Sequence, residues 1–268
     1  MERIVELGPG LFALRYRFYD QQIGVVVGSD GVLVIDTRST HRQADELRAD
    51  IGRLTPLPVT VVVNTHGHYD HCFGNRPFRP ATIWGHVRCV AMLERTGEQQ
   101  RKELRADAPA LAAELDEVVV DPPDRTLESS ATIDLGDRAV ELRHLGRGHT
   151  DNDIVVRLPD DGVLFAGDLL ENGAPPYFGD GYPIDWPATV EALVAIAPDV
   201  IVPGHGDVAD GPFATAQLAD LRAVADLARK VHAGAVDLEA AVRHGPFGRA
   251  RSREPIERAL AQLRGELD

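Results

Sequence analysis

The segment Val59-Thr60-Val61-Val62-Val63-Asn64-Thr65-His66-Gly67-His68-Tyr69-Asp70-His71 decides how the chain is read. An unbroken β-branched run from Val59 to Val63 suits a strand. It then feeds a loop with three imidazoles and a carboxylate in the six positions from His66 to His71. Imidazole nitrogen and carboxylate oxygen are the donors that zinc and related divalent ions take from proteins. So dense a cluster has no cheap structural use, because histidines make poor core and poor loop. The loop cannot wrap all of its donors around one ion, so partners must come from elsewhere.

Upstream, Leu11–Tyr19 and Ile23–Val27 read as strands. Gly28-Ser29-Asp30-Gly31 is a turn, and Val32–Ile35 is a buried strand ending at Asp36. Ser39 or Thr40 can cap a helix running to about Leu54, with Ala44, Leu47 and Ile51 on one face and Pro56 and Pro58 beyond it. Downstream come a short strand near 81–84 and a helix from about Val87. The charged, Ala-rich 98–117 is expected as an exposed helix or lid-like insertion, with strands at 117–120, 131–133 and 138–144. The second half repeats the first in outline. SDGVLVIDT at 29–37 and DDGVLFAGD at 160–168 are each a turn, a short apolar strand and a terminal carboxylate. Asn152–Leu158, Pro187–Ile196 and Val200–Val202 complete that half as strand, helix and strand.

Two such halves predict an α/β protein with two helix-covered sheets, a four-layer sandwich, over residues 1–212. The stripe Leu218, Leu221, Val224, Leu227, Val231 and a second stripe through Ile256, Leu260, Leu263 and Leu267 predict a C-terminal helical extension over 213–268. It would pack on the core or form a homodimer contact. At 268 residues with 44% hydrophobic content, the chain can bury a sizeable core. A net charge of −14 argues against a nucleic-acid surface. No stretch is apolar enough to span a membrane, and the opening lacks the basic-then-apolar pattern of a secretory leader. Two cysteines suit a reducing compartment. The expected setting is cytoplasmic, with a small-molecule substrate and neither nucleic acid nor membrane as partner.

At further strand ends stand His149 in Gly148-His149-Thr150-Asp151, Asp168 after Gly167, and His205 between Gly204 and Gly206. Taken singly, His205 reads as a turn residue and Asp168 as a cap. His41, His86, His144, His232 and His244 show that a histidine alone means little. Together with His66, His68, Asp70 and His71, however, these groups sit where α/β folds gather ligands, and they suffice for two metal ions.

HGHYDH, the later GHTDND, the strand-terminal GD and PGHG, in this order, resemble the metallo-β-lactamase superfamily over about Val5 to Gly206. The resemblance implies an αββα sandwich with a binuclear site between the sheets. One metal would take His66, His68 and His149, the other Asp70, His71 and His205, with Asp168 bridging and Asp36 supporting the His-rich loop. It implies two divalent ions, zinc first with iron or manganese as alternatives. A hydroxide shared between them would attack an ester, thioester, lactone or amide carbonyl, with Asp70 orienting it and passing a proton on. A bridging aspartate resembles the glyoxalase II-like and general hydrolase branches, so β-lactamase activity would be at most secondary; Cys72 reads as a packing residue. An alternative is a mono-iron persulfide dioxygenase-like oxidoreductase using His66, His149 and Asp168. A non-catalytic scaffold is a third reading, opposed by the complete ligand set. The Pro-, Gly- and aromatic-rich 169–186 is expected to loop over the cleft, with Trp84, Asn172, Tyr177 and Tyr182 as candidate pocket residues.

Overall fold

In the computed structural model, which describes residues 3–267, the first half lays down β1 (Arg3–Gly8), β2 (Leu11–Tyr16), β3 (Gln21–Gly28) and β4 (Gly31–Ile35). Helix α1 (His41–Leu54) then crosses to β5 (Val59–Val63), and the short α2 (Tyr69–Cys72) leads to β6 (Thr82–His86). Helices α3 (Val87–Asp107) and α4 (Ala112–Asp116) precede the edge strand β7 (Arg125–Leu127). The second half contains β8 (Ser130–Asp134), β9 (Ala139–Arg143), β10 (Val155–Leu158), β11 (Val163–Asn172), α5 (Trp186–Ala195) and β12 (Val200–Gly206). Helices α6 (Gly211–His232), α7 (Leu238–Arg243), α8 (Gly248–Arg251) and α9 (Arg253–Leu263) follow.

Alternation along the strands builds the layers. In β4, Val32 and Val34 face Ala44, Leu47 and Ile51 of α1, whereas Leu33 and Ile35 face an inner core shared with Val156, Phe165 and Val202. In the second half Val155, Leu164 and Ile201 face outward, beneath Leu193 of α5, Leu221 of α6 and Ile256 of α9. The result is an αββα sandwich with helices at the C-terminus. Hydrogen bonding joins the two β layers into one ladder, β7-β6-β5-β4-β3-β12-β11-β10-β9-β8, but the backbones of β3 and β12 pair only at Gln21 and His205. Packing therefore makes two sheets. Their approach is close: a Cβ on Gly24 would lie 2.7 Å from both Ile35 Cδ1 and Phe165 Cε1.

The repeated motif is real in three dimensions. β3–β4 and β10–β11 are antiparallel hairpins, and β4 and β11 each take a parallel partner, β5 or β12, after a helix. Thr40 caps α1 by accepting the Gln43 N–H at 3.1 Å, as the sequence predicts. Other expectations need correction. Residues 117–120 form no strand: Val118 buries beside Leu93, Leu104 and Leu115 instead. The first long strand stops at Tyr16, and Phe18–Asp20 forms a 3₁₀ turn. The carboxylate Asp168 does not terminate its strand: β11 continues to Asn172, because β12 pairs with it as far as Gly206. The 98–117 segment completes α3 and folds into α4, with Gln100, Leu104 and Leu115 buried rather than forming a wholly exposed insertion. Leu218, Leu221 and Val224 of α6 and Ile256 and Leu260 of α9 share one core with Trp186 and Val190 of α5. No helix among the described residues is long and apolar enough to cross a membrane.

Candidate metal centre

The His-rich loop leaves β5 and is tied down on every side. Asp36, at the end of β4, accepts the Thr65 N–H on Oδ1, and on Oδ2 it accepts the Thr65 hydroxyl and His71 Nδ1, each at 2.8 Å. Its backbone is held at φ 68°, a left-handed conformation costing about 1–3 kcal/mol in a non-glycine residue, and these bonds help to hold it there. Asn64 donates to the His71 carbonyl at 3.0 Å. Gln100 of α3 accepts the Tyr69 N–H at 2.9 Å and donates to the Gly67 carbonyl at 3.1 Å. From the other half, Asn152 Oδ1 accepts the Gly67 N–H at 2.9 Å, and Ile154 N–H donates to the Thr65 carbonyl at 2.8 Å.

Each of the five histidines spends one ring nitrogen on an outer oxygen and turns the other inward. His66 Nδ1 meets Thr65 Oγ1 at 3.1 Å, and His68 Nε2 meets both Asp180 oxygens at 3.1 Å. His149 Nδ1 reaches the Tyr177 carbonyl at 3.1 Å, and His205 Nδ1 the Tyr19 carbonyl at 2.7 Å. His71 Nδ1 lies on Asp36. These acceptors place the ring proton outward, leaving lone pairs inward. The inward nitrogens form two groups. His68 Nδ1 lies 3.0 Å from His66 Nε2 and 2.8 Å from His149 Nε2. On the other side, Asp70 Oδ2 stands 3.5 Å from His71 Nε2 and 3.4 Å from His205 Nε2. Asp168 Oδ2 lies between them, 3.2–3.7 Å from Nε2 of His205, His71, His149 and His66. All seven sequence candidates are brought together.

Such a gathering of acceptors repels itself unless a cation or protons intervene. His71 Nε2 and Asp168 Oδ1 are buried and lack hydrogen-bond partners, so the donor set fits divalent metal. With protons alone, charge is shared unevenly. Burial pushes His149 down to about 4 and His66 well below its ordinary value. Burial also opposes a charge on His205, but Asp168 and Asp70 outweigh it and raise its pKa to about 10. The same carboxylates, with Asp36, pull His71 well above its ordinary value against burial. Against its own burial, Asp70 is held at about 2 by His71 and His205. Gly204 is required here, because a Cβ would stand 1.7 Å from Asp168 Oδ1.

The centre opens into a cavity of about 1040 Å³ between α3 and the loop after β11. Asn172, Tyr177 and Tyr182 line it; Trp84 does not. Trp84 lies on β6 opposite Val63 and packs, partly buried, against the inner core. Glu171 was not singled out from the sequence. It stands at the cavity wall near His149 and Asp168, accepts the Tyr177 N–H at 2.8 Å, and is raised to about 7 by burial and Asp168. An irregular register between Gly167 and Glu171 puts it there, and no sequence periodicity reports that. Asp180 and Gln100 were also missed, since both act through a fold contact rather than a motif.

The chain matches the metallo-beta-lactamase superfamily over residues 16–205. It is 26% identical to a metallo-beta-lactamase type 2 of Bacillus cereus over 68% of this chain, and spans 65% of that relative's length. An acyl-coenzyme A thioesterase of Bos taurus is 28% identical over 74% of this chain and 79% of its own. Among solved structures, a metallo-beta-lactamase from Pontibacter korlensis superposes with TM-score 0.66 at 21% identity, covering 82% of this chain and 98% of its own. The sec-alkylsulfatase Pisa1 from Pseudomonas sp. superposes with TM-score 0.75 at 16% identity, covering 97% of this chain and 50% of its own.

Proposed function

The chain belongs to the metallo-beta-lactamase superfamily, and on that premise we propose that it is a binuclear metal-dependent hydrolase of small-molecule esters, thioesters, lactones or amides. The observation that carries the reading is the pattern of partners: five imidazoles, each with one ring nitrogen on an outer oxygen and the other turned inward toward two carboxylates. His66, His68 and His149 would hold one divalent ion and Asp70, His71 and His205 the other, with Asp168 between them. An all-nitrogen-and-oxygen donor set suits zinc. Ions bound there would supply an activated water near neutral pH and polarise the substrate's acyl oxygen.

The chain's own residues do the rest. Asp70, ionised over the working range, would orient the attacking water and pass its proton to the leaving group. The α3 wall, with Met92, Thr96 and Gln100, and the Tyr177 and Tyr182 loop bound a space suited to a small ligand. Relatives named as a thioesterase, an alkylsulfatase and lactamases support hydrolysis while leaving the bond open. A mono-iron reading through His66, His149 and Asp168 leaves the buried convergence of Asp70, His71 and His205 without a use.

Metal analysis of the purified protein, with a panel of thioesters, lactones and β-lactams, tests the proposal. About two divalent ions per chain are expected, with hydrolysis lost on chelation and restored by zinc. Full activity in a metal-stripped sample would sink it.

A further inference from the structure

The helices from Gly211 onward lie beyond the matched family region, yet α9 reaches the histidines in two hydrogen-bonded steps. Arg258 donates from Nε to the Gly181 carbonyl at 2.8 Å. One turn further on, Gln262 accepts the Ile184 N–H at 2.8 Å and donates to Asp185 Oδ2 at 3.1 Å. Two side chains on one helix face thus hold both ends of the 181–185 segment. Arg147 donates from Nε to the same Asp185 oxygen at 2.9 Å, and the Tyr182 N–H donates to the Gly148 carbonyl at 2.8 Å. The segment lies close against the backbone of the His149 loop: a Cβ on Gly181 would stand 3.2 Å from the Gly148 oxygen and 3.3 Å from that of His149.

Just before that segment stand the two groups that hold histidines from outside. Asp180 presents both oxygens to His68 Nε2, and the Tyr177 carbonyl accepts from His149 Nδ1, all at 3.1 Å. Between them Phe178 is buried against Trp186 and Phe247, with ring centroids at 5.1 and 5.8 Å. The Asp180 side chain is 47% exposed, and an ion pair so open to water does little to fix its own geometry. The loop's anchors must do that.

We propose that α9 is a positioning element for the three-histidine pocket, with Arg258 and Gln262 setting the place of Asp180 and of the Tyr177 carbonyl. The inference rests on the metal-binding reading above. Outer partners of this kind fix the tautomer and aim of a ligating imidazole, and losing one typically weakens metal affinity about 10–100-fold.

The test is a cobalt titration of the metal-free full-length chain, followed by absorbance and by competition with a chelator. The wild type should take up about two equivalents. Asp180→Asn should weaken one of them by about tenfold or more. Arg258→Ala should weaken the same equivalent by several-fold, while Arg258→Lys, which restores a donor, recovers most of the loss. The Arg258→Ala effect should persist in a His205→Ala background and vanish in a His68→Ala/His149→Ala background, which removes both rings held by the loop, with thermal melts confirming the fold. Should Arg258→Ala not fold, Gln262→Ala removes the other anchor and is read in the same way. Wild-type affinity at both steps, or a loss that survives the removal of both His68 and His149, would overturn the proposal. No cobalt uptake by the wild type would instead overturn the metal reading itself.

Discussion

Asp36 and Asp168 end corresponding stretches of the two halves, each after a turn and a short apolar strand, yet their carboxylates meet opposite fates. Asp36 is saturated: Thr65 N–H, Thr65 Oγ1 and His71 Nδ1 all lie at 2.8 Å. Asp168 has one buried oxygen without a partner, and its other oxygen faces the nitrogens of four histidines at 3.2–3.7 Å. A buried carboxylate whose acceptor capacity is already met can only brace. One left unmet at the convergence of lone pairs is placed to hold a cation. The repeated carboxylate position has been put to two uses.

Asp168→Asn gives the largest expected effect. It keeps the shape of the side chain but removes the charge between the two ligand groups. Hydrolysis should fall about 10³-fold or more, corresponding to about 4 kcal/mol of lost transition-state stabilisation. Metal content should drop, with circular dichroism of the metal-free protein confirming that it still folds. Full metal content with activity within tenfold of wild type would make Asp168 a second brace and erase the contrast.

Asp36→Asn should act one step further out. The amide can still accept the Thr65 N–H, but its NH₂ would face His71 Nδ1 and favour the other imidazole tautomer. The proton would then sit on His71 Nε2, the nitrogen aimed at Asp70 and Asp168. Metal affinity should fall about 10–100-fold in the group containing His71. Stability should fall by about 1–3 kcal/mol in denaturant unfolding. A variant that lost stability without losing metal affinity would show that Asp36 supports the fold and not the ligand.

The contrast also explains what the chain's letters disclose. The first half concentrates four candidate ligands in His66–His71, so local spacing suffices to find them. The second half scatters His149, Asp168 and His205 over one loop and two strands, each unremarkable alone, and only their order beside the first cluster made them legible. Layering was readable because short, wholly apolar runs such as Val32–Ile35 mark strands covered on both faces, and they alternate with amphipathic helices such as α1. Trp84 was misassigned for a related reason. A strand covered on both faces is apolar on both, so the sequence does not say which face meets the cavity. Glu171, Asp180 and Gln100 depend on an irregular strand register, a loop path and a helix orientation. None of these leaves a periodic trace.

Thr65→Val is the mildest and sharpest probe of the saturated carboxylate. Valine replaces the hydroxyl with a methyl of similar size, so packing beside Gly167 is preserved. It removes one of the three donors to Asp36 and the outer partner of His66 Nδ1. Two donors to Asp36 remain, the Thr65 N–H and His71 Nδ1, so its carboxylate stays largely compensated. The expected cost is about 1–2 kcal/mol in unfolding, with metal affinity reduced less than in Asp36→Asn. Thr65→Ser, which keeps the hydroxyl, should restore both. If Thr65→Val proved as damaging as Asp36→Asn, the carboxylate would be acting mainly through that one hydroxyl, and His71 would owe its orientation to something other than Asp36.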